Sequence, residues 1–323
     1  MNFCTYTLII AMLLAGCLPP KGDRDISPRY INEAVMQVDG WDMGCDNFGN
    51  CIAIGAVPPR KVKMEGIRGA LRIVFNNAEG QDPELTIIPL DYEQRLPDVK
   101  PSPQQTAVLL AELRDGRTYM LTYKDGDETV YYVRGRDFPR LEALHRRWLR
   151  AYPVRLAQQE PIMPVKGVRL RNFRAPTLTE TILAECTSPN KGIVDAAWDV
   201  GDGFRLLRYV CSPKGRFSAE MLWFTMDKQS GRLTPIGIDE AVGPKADGKA
   251  AGLYHAYFEP TQGLLVTRKS AGSDDCGLLA VYAATSSGFV LAERREARHC
   301  IGLYSGDWVQ TYRNPALIMP EHW

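Results

Sequence analysis

Eight cysteines occur in the chain, and six of them fall into three local couples separated by long cysteine-free stretches: Cys45 with Cys51, Cys186 with Cys211, and Cys276 with Cys300. In an oxidising compartment an even set of this kind reads as disulfides, and the local pairing is the one expected here. Metal is the rival use, but none of the spacings is the close Cys-x-x-Cys pair of a zinc ribbon. The four histidines, His145, His255, His299 and His322, lie far apart, with no His-x-x-x-His or His-Glu-x-x-His pair to grip a metal. Gly243 to Lys249 has the spacing of a phosphate-binding loop, yet Ala250 stands where that loop needs a hydroxyl for magnesium, so a surface turn is the better reading. No Gly-x-Ser-x-Gly elbow is found, and Ser273 beside Asp274, Asp275 and Cys276 reads as a turn. Trp41-Asp42 and Asp307-Trp308 could supply a carboxylate pair for sugar chemistry if the fold held the acids about 5–9 Å apart across a cleft. Arg140, Arg146, Arg147 and Arg150 form the one cluster suited to grip carboxylates or phosphates bidentately; a solvated helix face is the plainer account. Nothing in the motifs calls for a cofactor or a metal.

The remaining two cysteines carry an address. Thr7 to Ala15 is a short apolar run that stops at Pro19-Pro20, well short of the roughly 20 residues a spanning helix needs, and it has the layout of a secretory signal. Leu14-Ala15-Gly16-Cys17 resembles the bacterial lipobox, in which the cysteine is acylated and the peptide is cut before it. The alternative is a cleaved signal, or a chance buried hydrophobic segment, with an incidental cysteine, and the lack of any Lys or Arg before the apolar run favours it. Leu18 after the cysteine favours sorting to the outer membrane over retention at the inner one. The expected layout is a signal peptide over 1–16, which takes Cys4 away, and a lipidated tether over 17–29 whose acyl chains hold the membrane.

Cleavage would leave 323 − 16 = 307 residues, more than one core usually organises. A net charge of +1 argues against wholesale nucleic-acid binding, which needs a basic footprint. The elements that must position the chemistry divide in two. From 30 to 152 the pattern predicts an α+β domain: strands at Val35–Val38 and Cys51–Ile54 around the turn-rich Asp46–Asn50, a hairpin from Ala70–Phe75 and Leu85–Leu90, and a second hairpin around Lys124–Asp127. A helix is expected over Pro103–Arg114, with Ser102 as N-cap, Gln105 completing the capping box and Gly116 as stop. Another is expected over Pro139–Ala151, capped by Asp137, with Leu141, Leu144, Trp148 and Leu149 on one face and the arginines on the other. Residues 153–180, interrupted by Pro161, Pro164 and Pro176, read as a linker. From 181 to 323 short strands separated by turns predict an all-β antiparallel domain of sandwich, barrel or propeller-like form. The fold class expected is thus α+β and β-rich.

Two stretches together resemble the uncharacterised bacterial family filed as domain of unknown function 1176. Trp41-Asp42-Met43-Gly44-Cys45-Asp46-Asn47-Phe48-Gly49-Asn50-Cys51 is similar to that family's tryptophan, cysteine-aspartate-asparagine and second cysteine. Gly272-Ser273-Asp274-Asp275-Cys276-Gly277, with Gly288-Phe289 and Cys300, is similar to its glycine-aspartate-cysteine-glycine segment and closing cysteine. The resemblance implies an envelope location, disulfides and this architecture; it supplies no reaction.

An anchor, a tether and a stapled β scaffold without a catalytic signature lead us to expect a non-enzymatic envelope lipoprotein. It would bind an unknown envelope component or protein, an inhibitor of a hydrolase or toxin being one such role. The alternative is an envelope hydrolase of peptidoglycan or glycan whose catalytic residues are dispersed in sequence.

Overall fold

The computed structural model describes residues 35–38, 41–57, 68–77, 81–90, 98–125, 127–151, 161–174, 176, 193–210, 221–236, 238–239, 243–244, 255–270, 275–286, 288–300 and 302–319. The signal segment, Cys17, the tether and the Cys186–Cys211 couple lie outside them. What is described is mostly β, with two α-helices and three five-stranded antiparallel sheets.

The first sheet is a meander of β1 (Val35–Val38), β2 (Trp41–Cys45), β3 (Cys51–Val57), β4 (Arg68–Phe75) and β5 (Glu84–Leu90). Its alternating side chains serve two faces. Trp41, Met43, Ala53, Leu71, Ile73 and Leu85 face a core completed by α1 (Pro103–Arg114) and α2 (Phe138–Ala151), through Leu109, Leu113, Phe138, Leu141 and Trp148. The expected capping box of α1 is present, Gln105 N donating to Ser102 Oγ at 3.3 Å and Ser102 N to Gln105 Oε1 at 2.8 Å. Between the helices runs the hairpin β6 (Thr118–Asp125) and β7 (Asp127–Arg134).

β8 (Gly167–Arg169), which lies inside the expected linker, joins β9 (Ile193–Val200), β10 (Phe204–Val210), β11 (Met221–Asp227) and β12 (Leu233–Pro235) in a second sheet. A small ribbon pairs β13 (Ile238–Asp239) with β14 (Gly243–Pro244). The third sheet contains β15 (Tyr257–Glu259), β16 (Leu264–Ser270), β17 (Gly277–Thr285), β18 (Gly288–Ala297) and β19 (Val309–Arg313).

This last sheet in sequence is the middle one in space. One of its faces, with Leu264, Val266, Val281 and Val309, packs on Ile54, Ala70 and Ile88 of the first sheet. The other, with Leu265, Ala280, Tyr282 and Leu291, packs on Trp198, Leu206 and Trp223 of the second. A strand covered on both faces has no polar side to alternate with, which is why β17 reads Gly-Leu-Leu-Ala-Val-Tyr-Ala-Ala-Thr. Edge-on ring pairs cross the second interface, Trp198 with Phe258 at 5.5 Å and Phe204 with Phe289 at 6.0 Å.

Among the described residues five strands escaped the sequence pattern: β2, β8, β13, β14 and β19. Asp42 and Gly44 are poor strand formers, so β2 looks like loop until its partners are known.

Candidate functional site

The two cysteine motifs, far apart in the chain, meet at one place. In the first, Cys45 and Cys51 face each other across β2 and β3 and are joined by a disulfide. Asp46 organises the loop they close: its Oδ1 accepts from the backbone amides of Phe48 and Asn50, both at 2.9 Å, and its Oδ2 from Asn50 Nδ2 at 3.3 Å. Burial pushes the Asp46 carboxyl above its ordinary pKa, against the lowering effect of these bonds. The other loop residues reach outward. Asn47 Oδ1 accepts from Arg313 N, the Phe48 carbonyl from Asn77 Nδ2, and Asn50 Oδ1 from Asn77 N. The Gly49 carbonyl bonds the ring of His145 on α2.

Asp42 is buried, at 4% exposure, and points from β2 toward the middle sheet. Its Oδ2 accepts the backbone amides of Arg298 at 2.7 Å and His299 at 2.8 Å, while its Oδ1 lies 2.7 Å from His299 Nδ1. Next in sequence, Cys300 is joined to Cys276 in the second motif, and Asp275 Oδ2 accepts the amide of Gly302 at 2.6 Å. Arg298, His299 and Cys300 are thus pinned to β2 by a carboxylate and, through the disulfide, to the residue that precedes β17.

Behind it runs a chain of charges. Arg294, 6% exposed, donates to Thr311 Oγ1 at 3.1 Å and to Glu296 Oε2 at 2.8 Å, and Arg298 Nε reaches Glu296 Oε1 at 2.7 Å. Burial lowers the Arg294 pKa; Glu296 opposes that shift by favouring the charged form.

Chemically, an acid on Nδ1 fixes the proton there and leaves Nε2 as the acceptor, the arrangement of an oriented base. Among the described residues Asp42 is the only hydrogen-bond partner of the His299 ring. The sugar-chemistry acids also come to one interface. Asp42 and Arg72 sit in one cross-strand row through Ile54, and Arg72 Nη1 lies 3.7 Å from Asp307, also 4% exposed. Both acids are buried and engaged, which is unlike a pair flanking a sugar-sized cleft. Asp275, Cys276 and Cys300 bring their ligand atoms within 4.8 Å of one another, but the two sulfurs are bonded together and offer no thiolate to a metal. Gly243-Pro244 of the phosphate-loop-like stretch is strand β14; its lysines and Ala250 lie outside the described residues.

The arginine cluster is where the helical spacing puts it. At about 100° per residue Arg140, Arg146, Arg147 and Arg150 fall within one sector of roughly 120°, opposite Phe138, Leu141 and Trp148. All four are exposed. Arg146 lies 4.0 Å from Glu142, one turn earlier. The structure therefore brings Cys45 to Cys51 and Cys276 to Cys300, groups the four arginines, and adds the Asp42–His299 contact, which sequence spacing had no means to show. Compared with family models, with characterised proteins and with solved structures, the chain shows no match.

Proposed function

We propose that this protein is a lipid-anchored binding or interaction protein of the bacterial envelope that holds a partner without transforming it. The observation that carries this reading is the arginine face of α2, displayed on a helix that packs by its opposite side onto a sheet stapled by Cys45–Cys51. A rigid surface of this kind loses little freedom on association, and arginines suit a partner bearing carboxylates or phosphates. Two disulfides point to an oxidising, extracytoplasmic location. Among the described residues no helix is long and apolar enough to cross a membrane. Leu14-Ala15-Gly16-Cys17 supports attachment through acyl chains, with Leu18 supporting the outer membrane; replacing Cys17 with Ser should release the protein or stall its processing. Inhibition of an attacking hydrolase or toxin is a role that fits such a surface.

The test is capture from envelope extract with the purified protein and with Arg146→Glu/Arg147→Glu. Loss of the captured species in the double variant, with unfolding unchanged, supports the reading; capture indifferent to it removes the helix from the interface. The oriented His299 favours one second reading, an envelope hydrolase. Turnover of an envelope glycan that disappears in His299→Ala would establish it.

A further inference from the structure

Between Pro161 and Arg174 the chain contains Lys166, Arg169, Arg171 and Arg174 and no acidic residue. All four cations are exposed, and among the described residues none has an ion-pair partner. The acid nearest in register, Asp199, stands opposite Val168, but Arg205 at 2.9 Å and Lys228 at 3.3 Å already neutralise it. The segment is firmly mounted. Ile162 N donates to the Ala316 carbonyl, Val165 N to Ala284, Gly167 N to Pro260 and Leu170 N to Ala197, each within 2.9 Å. Leu170 and Phe173 pack on the outer face of the second sheet, and Val165 packs on the core between the second and third sheets.

Not all its apolar side chains turn inward. Met163 is 62% and Val168 69% exposed, and Ile318, whose amide donates to the Ile162 carbonyl at 3.0 Å, is 50% exposed. An acidic polypeptide would satisfy the cations without requiring any protruding apolar side chain beside them. A bilayer surface satisfies both, because phosphates lie just outside the first acyl carbons. We propose that residues 161–174 form a membrane-surface strip that seats on anionic phospholipid headgroups, Lys166, Arg169, Arg171 and Arg174 meeting the phosphates and Met163 and Val168 entering the headgroup boundary. The strip is independent of the α2 face and of acylation at Cys17.

Sedimentation with vesicles tests it, using the chain from position 17 onward with Cys17→Ala, so that neither an acyl chain nor the apolar Thr7–Ala15 run contributes. The chain should bind phosphatidylglycerol-containing vesicles at physiological ionic strength and bind pure phosphatidylcholine vesicles far more weakly. Each cation near such a surface contributes about fivefold in affinity, so Arg169→Gln/Arg171→Gln should lose roughly 25-fold. Met163→Ser/Val168→Ser should weaken binding without changing its dependence on salt. Arg146→Gln/Arg147→Gln should leave it unchanged, which separates this strip from the partner face of α2. Equal binding to both lipids, indifference to Arg169→Gln/Arg171→Gln, or an equal loss from the α2 pair would overturn the proposal. So would polyglutamate binding as tight as vesicle binding and unaffected by Met163→Ser/Val168→Ser, which would assign the strip to an acidic polypeptide. These side chains are exposed, so unchanged circular dichroism and unfolding midpoints are the expected controls.

Discussion

Asp42 shows how much of this fold rests on single polar groups. Its carboxylate is nearly removed from water and accepts from two backbone amides and a histidine ring. Hydrogen bonds to a charged acceptor contribute about 1.5–3 kcal/mol each, and losing the acceptor also strands the donors. Asp42→Ala should therefore cost at least about 3 kcal/mol in urea unfolding. His299→Ala removes one of the three contacts from a half-exposed ring and should cost about 1 kcal/mol. Equal losses would mean that the backbone contacts carry nothing. His145 gives a second prediction, in pH. Burial lowers its pKa below 6.5, the Gly49 carbonyl opposing, and its buried Nε2 has no hydrogen-bond partner among the described residues. As pH falls through 6.5 the unfolded chain takes up a proton that the folded chain resists, so this group's contribution is intact above 6.5 and is lost on acidification toward the folded pKa. Asp46 has the opposite sign, because a raised carboxyl pKa favours the folded state below 3.8 and that gain is lost as pH rises through the folded value. His145→Gln should flatten the decline in stability just below pH 6.5, while Asp46 acts upward from 3.8. An unchanged profile would show that His145 is solvated.

At the scale of elements, glycine positions separate backbone strain from crowding. Gly116 ends α1 at φ +73° with nothing near the place of a Cβ, whereas Gly277 opens β17 at φ +137° with the Lys269 carbonyl oxygen 2.0 Å from that place. Gly116→Ala should cost about 1 kcal/mol from conformation alone. Gly277→Ala must displace β16 as well and should cost more than about 3 kcal/mol, read from chemical denaturation midpoints. The helices and hairpins were legible in the sequence because their signals are local: Ser102 with Gln105, the apolar face of α2, Asp125-Gly126-Asp127 between β6 and β7. Strand β2 was not legible, since Asp42 and Gly44 are chosen for what lies against them. A Cβ on Gly44 would sit 2.8 Å from Val309 Cγ2, so the glycine marks the approach of β19 rather than a turn. The same blindness hid the partner of Asp42, a residue 257 positions away. Residues 161–174 read as linker because prolines break the pattern, yet their amides are tied to the rest of the fold at four points.

For the whole molecule the decisive feature is that the middle sheet comes last in sequence. Residues 30–152 and 181–323 are separable along the chain, but Ile54, Ala70 and Ile88 of the first share a core with Val266, Val281, Trp308 and Val309 of the second. Asp42 adds a polar clasp to the same seam. A fragment ending at Ala151 would expose that apolar face and leave a buried-type carboxylate without its donors. It should therefore be aggregation-prone or lack a sharp thermal transition, while the whole chain unfolds with coincident near-ultraviolet and far-ultraviolet signals. The disulfides sharpen the expectation. On chain entropy alone, the Cys276–Cys300 and Cys45–Cys51 bridges, with sequence separations of 24 and 6, contribute about 3.4 and about 2.2 kcal/mol. Yet Cys276–Cys300 also holds the segment that donates to Asp42, so Cys276→Ala/Cys300→Ala should lose more than its loop entropy. Combining it with Asp42→Ala should cost less than the sum of the two, because both remove the same clasp. Additive losses, or a fragment 30–151 that melts cooperatively on its own, would show that the two halves fold as independent units and that the seam is only a contact between them.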